Sequence, residues 1–353
     1  MNILLFGDYS GLHNNLQIGL EKLGHSVKVA SNGDGFKDLP SDISLGSSSP
    51  KLLGKIDRLI RPFLEINSFQ GFDVTQFINS NPLTVCKVNK ILYEKILTFS
   101  KKNFLLACGD DPVFYKNLDK FRYHPYSAIE DDGISHIPTY SKTYANIHNF
   151  FVEKVDGIIP VMVEYAMGYR DYDKVTCTIP LPIDTDSIVC NENNLINEKI
   201  HFFHGLNRPF FKGTSIIEEA LYKLKSNYPD DVKVSIAGNM SKKEYLSVLN
   251  DANVVLDQCK GYSYGMNALY SLAKGKVVMS GSEPEALFEL GIERNDCPIL
   301  NIQPDVNQIY EQLLILLEKR EQIKDIGIES RKFVERYHDS KIIAKRYIDI
   351  WQK

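Results

Sequence analysis

Several large classes of protein are excluded by what this sequence lacks. Its six cysteines (Cys86, Cys108, Cys177, Cys190, Cys259 and Cys297) are scattered without a C-x-x-C pair. They offer neither a zinc site nor a disulfide framework, and suit a reducing cytoplasm. No apolar run approaches the ~20 residues needed to cross a bilayer, and no charged segment with a cleavage site precedes the first strand, so a soluble or peripheral protein is expected. Basic residues are not in excess: 41 Lys and Arg stand against 45 Asp and Glu, a formal net charge of −4. A general nucleic-acid binder needs a basic face, so none is expected here. There is no internal repeat and no low-complexity tract beyond Ser47-Ser48-Ser49. The loop after the first strand is not G-x-G-x-x-G, and no acidic residue closes the second strand at Ala30-Ser31, which argues against a nicotinamide dinucleotide site.

What is present is a 353-residue chain with 43% hydrophobic residues, enough for two cores. Asn2 to Phe6 is a continuous apolar strand of the kind buried on both faces of a parallel sheet. Gly7-Asp8-Tyr9-Ser10-Gly11 turns it into a helix that ends at Gly24, and His25 to Ala30 returns as a strand. In residues 51–66, Leu52, Ile56, Leu59, Ile60 and Phe63 recur at helical spacing while Lys51, Lys55, Arg58 and Arg61 are basic. Such a stripe can lie on an anionic membrane surface. The expected arrangement is the other one, a helix packed on the sheet with a wet basic face. Residues 72–78 read as a strand, 88–99 as a helix and 103–108 as a strand leading into Gly109-Asp110-Asp111-Pro112. Carboxylates just past the end of a parallel strand sit where such sheets present ligands, so Asp110 or Asp111 could orient an acceptor hydroxyl or take its proton. The alternative is that at least one caps the following turn. Residues 121–145 read as an irregular loop with His124, His136 and Tyr140 as candidate acceptor contacts and no metal-ligand pattern. A strand at 156–161, a helix at 164–169 and a strand at 175–179 complete the first half.

Pro180 to Asp184 breaks regular structure, and residues 185–199 read as a linker. Strands and helices then alternate again: strands at 200–204, 232–237, 253–256 and 276–279, with helices at 215–226, 242–250 and 265–274. This is a second doubly wound sheet, whose ligand belongs at the strand ends. In HFFHGLNRPFFKG, Gly205 is the expected turn residue, and Arg208 and Lys212 stand before a helix that Ser215-x-x-Glu218 would open as a capping box. Two cations beside the positive end of a helix repel each other unless an anion sits between them, which favours a phosphate or diphosphate. Ser282-Glu283-Pro284-Glu285 supplies further carboxylates or a helix cap. Helices at 307–319, 322–337 and 340–351 close the chain.

HGLNRPFFKGT with the amphipathic IIEEALYKLK after it resembles the diphosphate-binding segment of nucleotide-sugar glycosyltransferases with the GT-B fold, in particular the retaining family 4 (glycosyl transferases group 1). Residues 257–275, DQCKGYSYGMNALYSLAKG, are similar to the second donor segment of that family, with Gly265, Ala273 and Gly275-Lys276-Val277-Val278 in register. The Glu-x7-Glu motif is replaced by Tyr262 and Tyr270. The resemblance implies an α/β protein of GT-B architecture, two Rossmann-like doubly wound domains facing across a cleft. Residues 1–184 would bind the acceptor, 200–335 the nucleotide-sugar, and 336–353 would return to the first domain. It implies a metal-independent hexosyltransferase that moves a sugar from a UDP- or GDP-linked donor to the hydroxyl of a glycan or lipid-linked acceptor. It would build cell-surface polysaccharide or lipid-linked glycan in the cytoplasm; contact of residues 51–66 with the inner face of the membrane is the alternative to their packing on the sheet. No cofactor and no metal are implied. Arg208 and Lys212 would neutralise the diphosphate as its charge grows. Gly11, Gly205, Gly238, Asn239, Met240, Asp257, Tyr262, Tyr264, Gly265 and Tyr270 would line the donor site, with Asn239 near the base. His13 could touch donor or acceptor, or be a plain helix residue, and His136 could touch the acceptor. Two alternatives stand: a non-catalytic GT-B-fold binding protein, which the missing glutamate pair favours, and a nucleotide-sugar epimerase.

Overall fold

A computed structural model describes residues 1–49, 51–83, 89–127, 142–191, 194–196, 198–238 and 240–353. Its described residues form two parallel sheets with helices between successive strands. In the first sheet the order is β3-β2-β1-β4-β5-β6, from β1 (Asn2–Phe6), β2 (Ser26–Ser31), β3 (Ile43–Ser44), β4 (Val74–Phe77), β5 (Lys102–Ala107) and β6 (Gly157–Pro160). The apolar run of β1 forms the centre together with β4, buried from Ile3 to Phe6 between two parallel neighbours, with Leu4 opposite Lys28 and Thr75. Phe6, Phe77, Tyr93 and Phe151 meet edge-on or tilted in the core beside it, with ring centroids 4.8–6.5 Å apart.

Helices α1 (Leu12–Lys22), α2 (Leu52–Leu64), α3 (Asn89–Ile96), α4 (Pro112–Lys116), α5 (Lys142–Lys154) and α6 (Val163–Tyr169) belong to this half. Two expectations need correction. Residues 175–179 form no regular strand: Val175 makes an isolated bridge to Ile158, and Thr176 N and Ile179 N donate to the Ile158 and Pro160 carbonyl oxygens, but Pro160 has no N–H with which to continue the ladder. The expected loop gives way at residue 142 to α5, whose Tyr144, Ile147, His148 and Phe151 form a buried helical stripe.

The second sheet runs β11-β10-β9-β7-β8, from β7 (Ile200–Leu206), β8 (Val232–Gly238), β9 (Val254–Leu256), β10 (Val277–Ser280) and β11 (Leu300–Asn301). Its helices are α7 (Pro209–Lys212), α8 (Thr214–Asn227), α9 (Lys242–Asp251), α10 (Met266–Ala273), α11 (Pro284–Leu290), α12 (Val306–Glu318) and α13 (Ile323–Tyr337). Ile200, Phe202, Ile217, Leu221, Val254, Val277 and Leu313 are among its core residues.

The chain divides into two compact units. The first holds Met1–Leu118, residues 142–184 and Ser340–Lys353; the described parts of the second are residues 119–127 and Thr185–Asp339. The final helix, α14 (Ser340–Trp351), packs in the first unit against α1. The two backbones touch at Gly19, where a Cβ would stand 2.0 Å from the Ser340 carbonyl oxygen. Trp351 is buried beside Phe104, and its carbonyl oxygen accepts from Lys102 Nζ at 3.1 Å.

Candidate functional site

In the second unit, β7 delivers the chain to the carboxyl edge of its sheet. Arg208 (φ 56°) and Gly213 (φ 74°) are both left-handed and bracket the single turn α7. The conformation costs an arginine of order 1 kcal/mol, and only glycine fits the second position, since a Cβ on Gly213 would lie 2.4 Å from Cys259 Sγ. Gly205, the expected turn residue, is instead extended within β7. The Ser215–Glu218 capping box does not form: left-handed Gly213 ends α7 and starts α8 at once, so Thr214 is the first residue and no side chain caps it.

The turn sets the two cations apart. Arg208 is exposed, its guanidinium 3.9 Å from the centre of the Phe211 ring, which stands edge-on to Tyr126. Lys212 is buried, with Nζ donating to Asp257 Oδ1 at 2.9 Å. Asn267 Nδ2 donates to the same oxygen at 2.8 Å, and Ser280 Oγ to Oδ2 at 3.2 Å. Burial works against the charge on Asp257, but the Lys212 ammonium and the Asn267 amide outweigh it and hold the carboxyl below the usual carboxylate range. His204 stands directly beneath. Its Nδ1–H donates to the Leu256 carbonyl oxygen at 2.8 Å, so Nε2 accepts the Thr214 hydroxyl, also at 2.8 Å. Burial, followed by the Lys212 charge, lowers its pKa to about 4, so the ring is neutral and fixes the first residue of α8. Nearby, α10 starts at Gly265 with no side-chain cap and no acidic residue in its first turn, leaving N–H groups oriented for an anion. Residues from the ends of β7, β9 and β10 and the start of α10 thus converge where a parallel sheet presents its ligand.

Tyr262 and Tyr264 face elsewhere. The Tyr262 hydroxyl accepts from Arg122 N at 2.8 Å and Nε at 3.1 Å. Arg122 also reaches Glu283 Oε2 at 2.5 Å, and Tyr123 donates to Glu283 Oε1 at 2.7 Å. Asn301 and Gln303 complete the shell of this buried carboxylate, each at 2.8 Å. Burial opposes its charge, and these donors hold the Glu283 carboxyl below its ordinary range. Glu283 thereby ties residues 119–127 to the second sheet. Tyr264 is buried, with its hydroxyl 2.9 Å from His338 Nε2 and its ring against Phe333; it is a core residue rather than a lining one. Tyr270 is buried on α10. Gly238 ends β8 so close to β7 that a Cβ would stand 2.2 Å from the Leu206 carbonyl oxygen, and Met240, just beyond, is half-buried. Asn239 and His136 lie outside the described residues.

In the first unit the loop between β1 and α1 is left-handed at Gly7, Ser10 and Gly11, the last being the N-cap position of α1. His13 has no exposed surface. Its Nδ1–H donates to Gly7 O at 2.6 Å, and Nε2 accepts from Gln76 at 3.2 Å. Burial drives its pKa down to about 3, so of the two readings the geometry matches the plain helix residue. Asp111 caps α4, accepting Val113 N at 2.7 Å and Phe114 N at 3.0 Å through Oδ1, while Oδ2 accepts the Tyr169 hydroxyl at 2.8 Å. His148 donates to that tyrosine oxygen from Nε2 at 3.2 Å and accepts Ser80 at Nδ1 at 2.9 Å. Asp110, with its backbone carbonyl held by Tyr144 and Asn79, keeps a half-buried side chain at the end of β5. Sequence reasoning missed Asn267, Ser280, Arg122 and the structural use of Glu283. For Asn267 a signal existed, a polar residue in the first turn of the helix after Gly265; for Arg122, 140 residues from Tyr262, none did.

No family model matches the chain, and no curated protein sequence matches it. Solved structures do. HepE of Anabaena, solved with UDP and glucose, is similar over 100% of this chain and 99% of its own, at 10% identity and a TM-score of 0.65. Sucrose-phosphate synthase of Thermosynechococcus elongatus is similar over 100% and 98%, at 12% identity and a TM-score of 0.65. A glycosyltransferase of Rickettsia africae is similar over 99% and 97%, at 13% identity and a TM-score of 0.57. Two parallel sheets with interleaved helices, shared with these proteins over their full length, are the GT-B fold of glycosyltransferases.

Proposed function

We propose that this protein transfers a hexose from a nucleoside-diphosphate donor, UDP- or GDP-linked, to an acceptor hydroxyl. It is a variant of the retaining family 4 type in which Tyr262 and Tyr270 replace the two glutamates. The observation that carries this reading is the turn at the end of β7. It presents an exposed Arg208 beside a buried Lys212–Asp257–Asn267 cluster, at the carboxyl edge of a parallel sheet and near the uncapped start of α10. A diphosphate leaving group gains charge as the glycosidic bond breaks, and preorganised cations lower that barrier without a metal. Arg208 supplies the charge from the solvent side, and Lys212, held by Asp257, supplies it without reorganising. Gly265 and the first turn of α10 add backbone donors. Acceptor contacts fall to the first unit, where half-buried Asp110, just past β5, would orient the acceptor hydroxyl, while Asp111 caps α4. The work is done in the cytoplasm on cell-surface polysaccharide or a lipid-linked glycan. Loss of Arg208 should cost about 2.7–4 kcal/mol of barrier, by analogy with a removed oxyanion donor. Turnover of the cognate nucleotide-sugar by Arg208→Ala would then fall by two to three orders of magnitude; near-normal turnover would end the assignment.

The Tyr262 hydroxyl, held by Arg122, favours a second reading, a binding protein of this fold without turnover. Nucleotide binding that persists with no transfer or hydrolysis of any nucleotide-sugar would select it.

A further inference from the structure

Helix α2 is turned inside out. At about 100° per residue, Leu52, Leu53, Ile56, Leu59, Ile60, Phe63 and Leu64 fall on one arc of about 140°. All seven are exposed, up to 72% for Leu52, 81% for Leu53 and 67% for Leu64. The buried side is Gly54 and Pro62. A Cβ on Gly54 would lie 2.4 Å from the Ser49 carbonyl oxygen, so the helix backbone rests on residues 46–49. Two of its polar side chains bond inward: Arg58 donates to the carbonyl oxygens of Ser47 at 2.5 Å and Ser49 at 2.7 Å, and Asp57 accepts Ser47 N at 2.7 Å. The expected arrangement, apolar face on the sheet and basic face in water, is therefore reversed. A helix that satisfies its polar groups on the protein and offers its leucines outward has a partner for them.

We propose that α2 is an interfacial helix that seats the protein on an anionic lipid surface. Charge selects this partner. Lys51 and Lys55 are exposed, and Lys55 borders the apolar arc, where its stem can run along the leucines with the ammonium at headgroup level. Residues 51–65 carry four cations against two anions. Arg58 is held by the Ser47 and Ser49 carbonyls and Asp57, the anion nearer the arc, is neutralised by Arg61, which leaves Lys51 and Lys55 to meet the headgroups. The helix is 13 residues long, about 20 Å, and no described helix is long and apolar enough to cross a bilayer, so it lies in the interface plane. This proposal does not depend on the transferase reading.

The test is co-sedimentation of the full chain with vesicles of phosphatidylglycerol and phosphatidylcholine in equal parts, against phosphatidylcholine alone. The wild type should bind the anionic vesicles at least about tenfold more tightly, and lose that preference in high salt. Leu53→Asp/Ile60→Asp, at exposed positions, should abolish sedimentation and leave thermal unfolding unchanged. Lys51→Glu/Lys55→Glu should weaken anionic binding by at least about tenfold. Wild-type protein that stays in the supernatant, or binding that survives Leu53→Asp/Ile60→Asp, would overturn the proposal. So would a concentration-dependent dimer dissolved by that same pair, which would give the face to a second copy of the chain.

Discussion

At the residue scale the two cations of the β7 turn are unequal. Arg208 was legible as a candidate because its spacing from Lys212 across a turn favours an anion, and the structure leaves it exposed with the Phe211 ring beneath its guanidinium. Lys212 was legible by the same spacing, but not its burial against Asp257, which depends on a residue 45 positions away. Lys212→Ala leaves a buried carboxylate without its counter-charge and should destabilise the second unit by about 3–5 kcal/mol. Arg208→Ala, at an exposed site, should change stability by about 0.5 kcal/mol or less. Urea denaturation of the pair separates them; equal losses would mean that Arg208 is structural. Tyr262→Phe removes the acceptor of two Arg122 donors, and a stability loss of about 1 kcal/mol is expected. Tyr270→Glu should change nucleotide-sugar affinity if that position lines the pocket, and unchanged affinity in a titration would remove Tyr270 from it.

At the element scale, the long apolar runs decided most of the fold. β1 is a nearly continuous apolar strand, and such a run ending at a glycine turn reads as a buried parallel strand without tertiary information. What was not legible depended on contacts between elements. Residues 175–179 look like a strand and pair at one residue only; α2 has the pattern of a packed helix and shows that pattern to solvent. Helix starts were legible to within a residue: those expected at 242, 265 and 215 fall at Lys242, Met266 and Thr214. Ser241 makes a complete capping box with Glu244, whereas α8 starts from left-handed Gly213 with no cap at all. Ser241→Ala should therefore cost about 1 kcal/mol. Gly19→Ala should cost more, about 1–3 kcal/mol by overpacking, because its methyl would enter the backbone of α14. Thermal unfolding of each variant measures both; a neutral Gly19→Ala would mean that α1 and α14 are not in backbone contact.

For the whole molecule, buried histidines make stability depend on pH. His13 and His204 have their pKa values lowered by burial from 6.5 to about 3 and about 4. The unfolded chain therefore takes up protons that the folded chain refuses, so their contribution is intact above pH 6.5 and is lost as pH falls toward the folded values. Asp8 acts in the opposite sense: burial raises its carboxyl from 3.8 to about 6, so the fold gains as pH falls through that range. His148 and His201 are lowered by burial, and Asp257 and Glu283 are held below their ordinary range, all in the same sense as the two rings. Against the one raised carboxyl, the stability should therefore be lower at pH 4.5 than at pH 7. Urea midpoints at the two pH values measure this, and equal midpoints would contradict the buried, neutral assignment. The central claim, a nucleoside-diphosphate site at the β7 turn, is tested most directly by calorimetric titration of the protein with UDP, GDP and ADP, repeated on Arg208→Ala. Binding of UDP or GDP that is lost in Arg208→Ala while its unfolding is unchanged is the predicted result. Absence of binding to all three, or binding indifferent to Arg208, would contradict it.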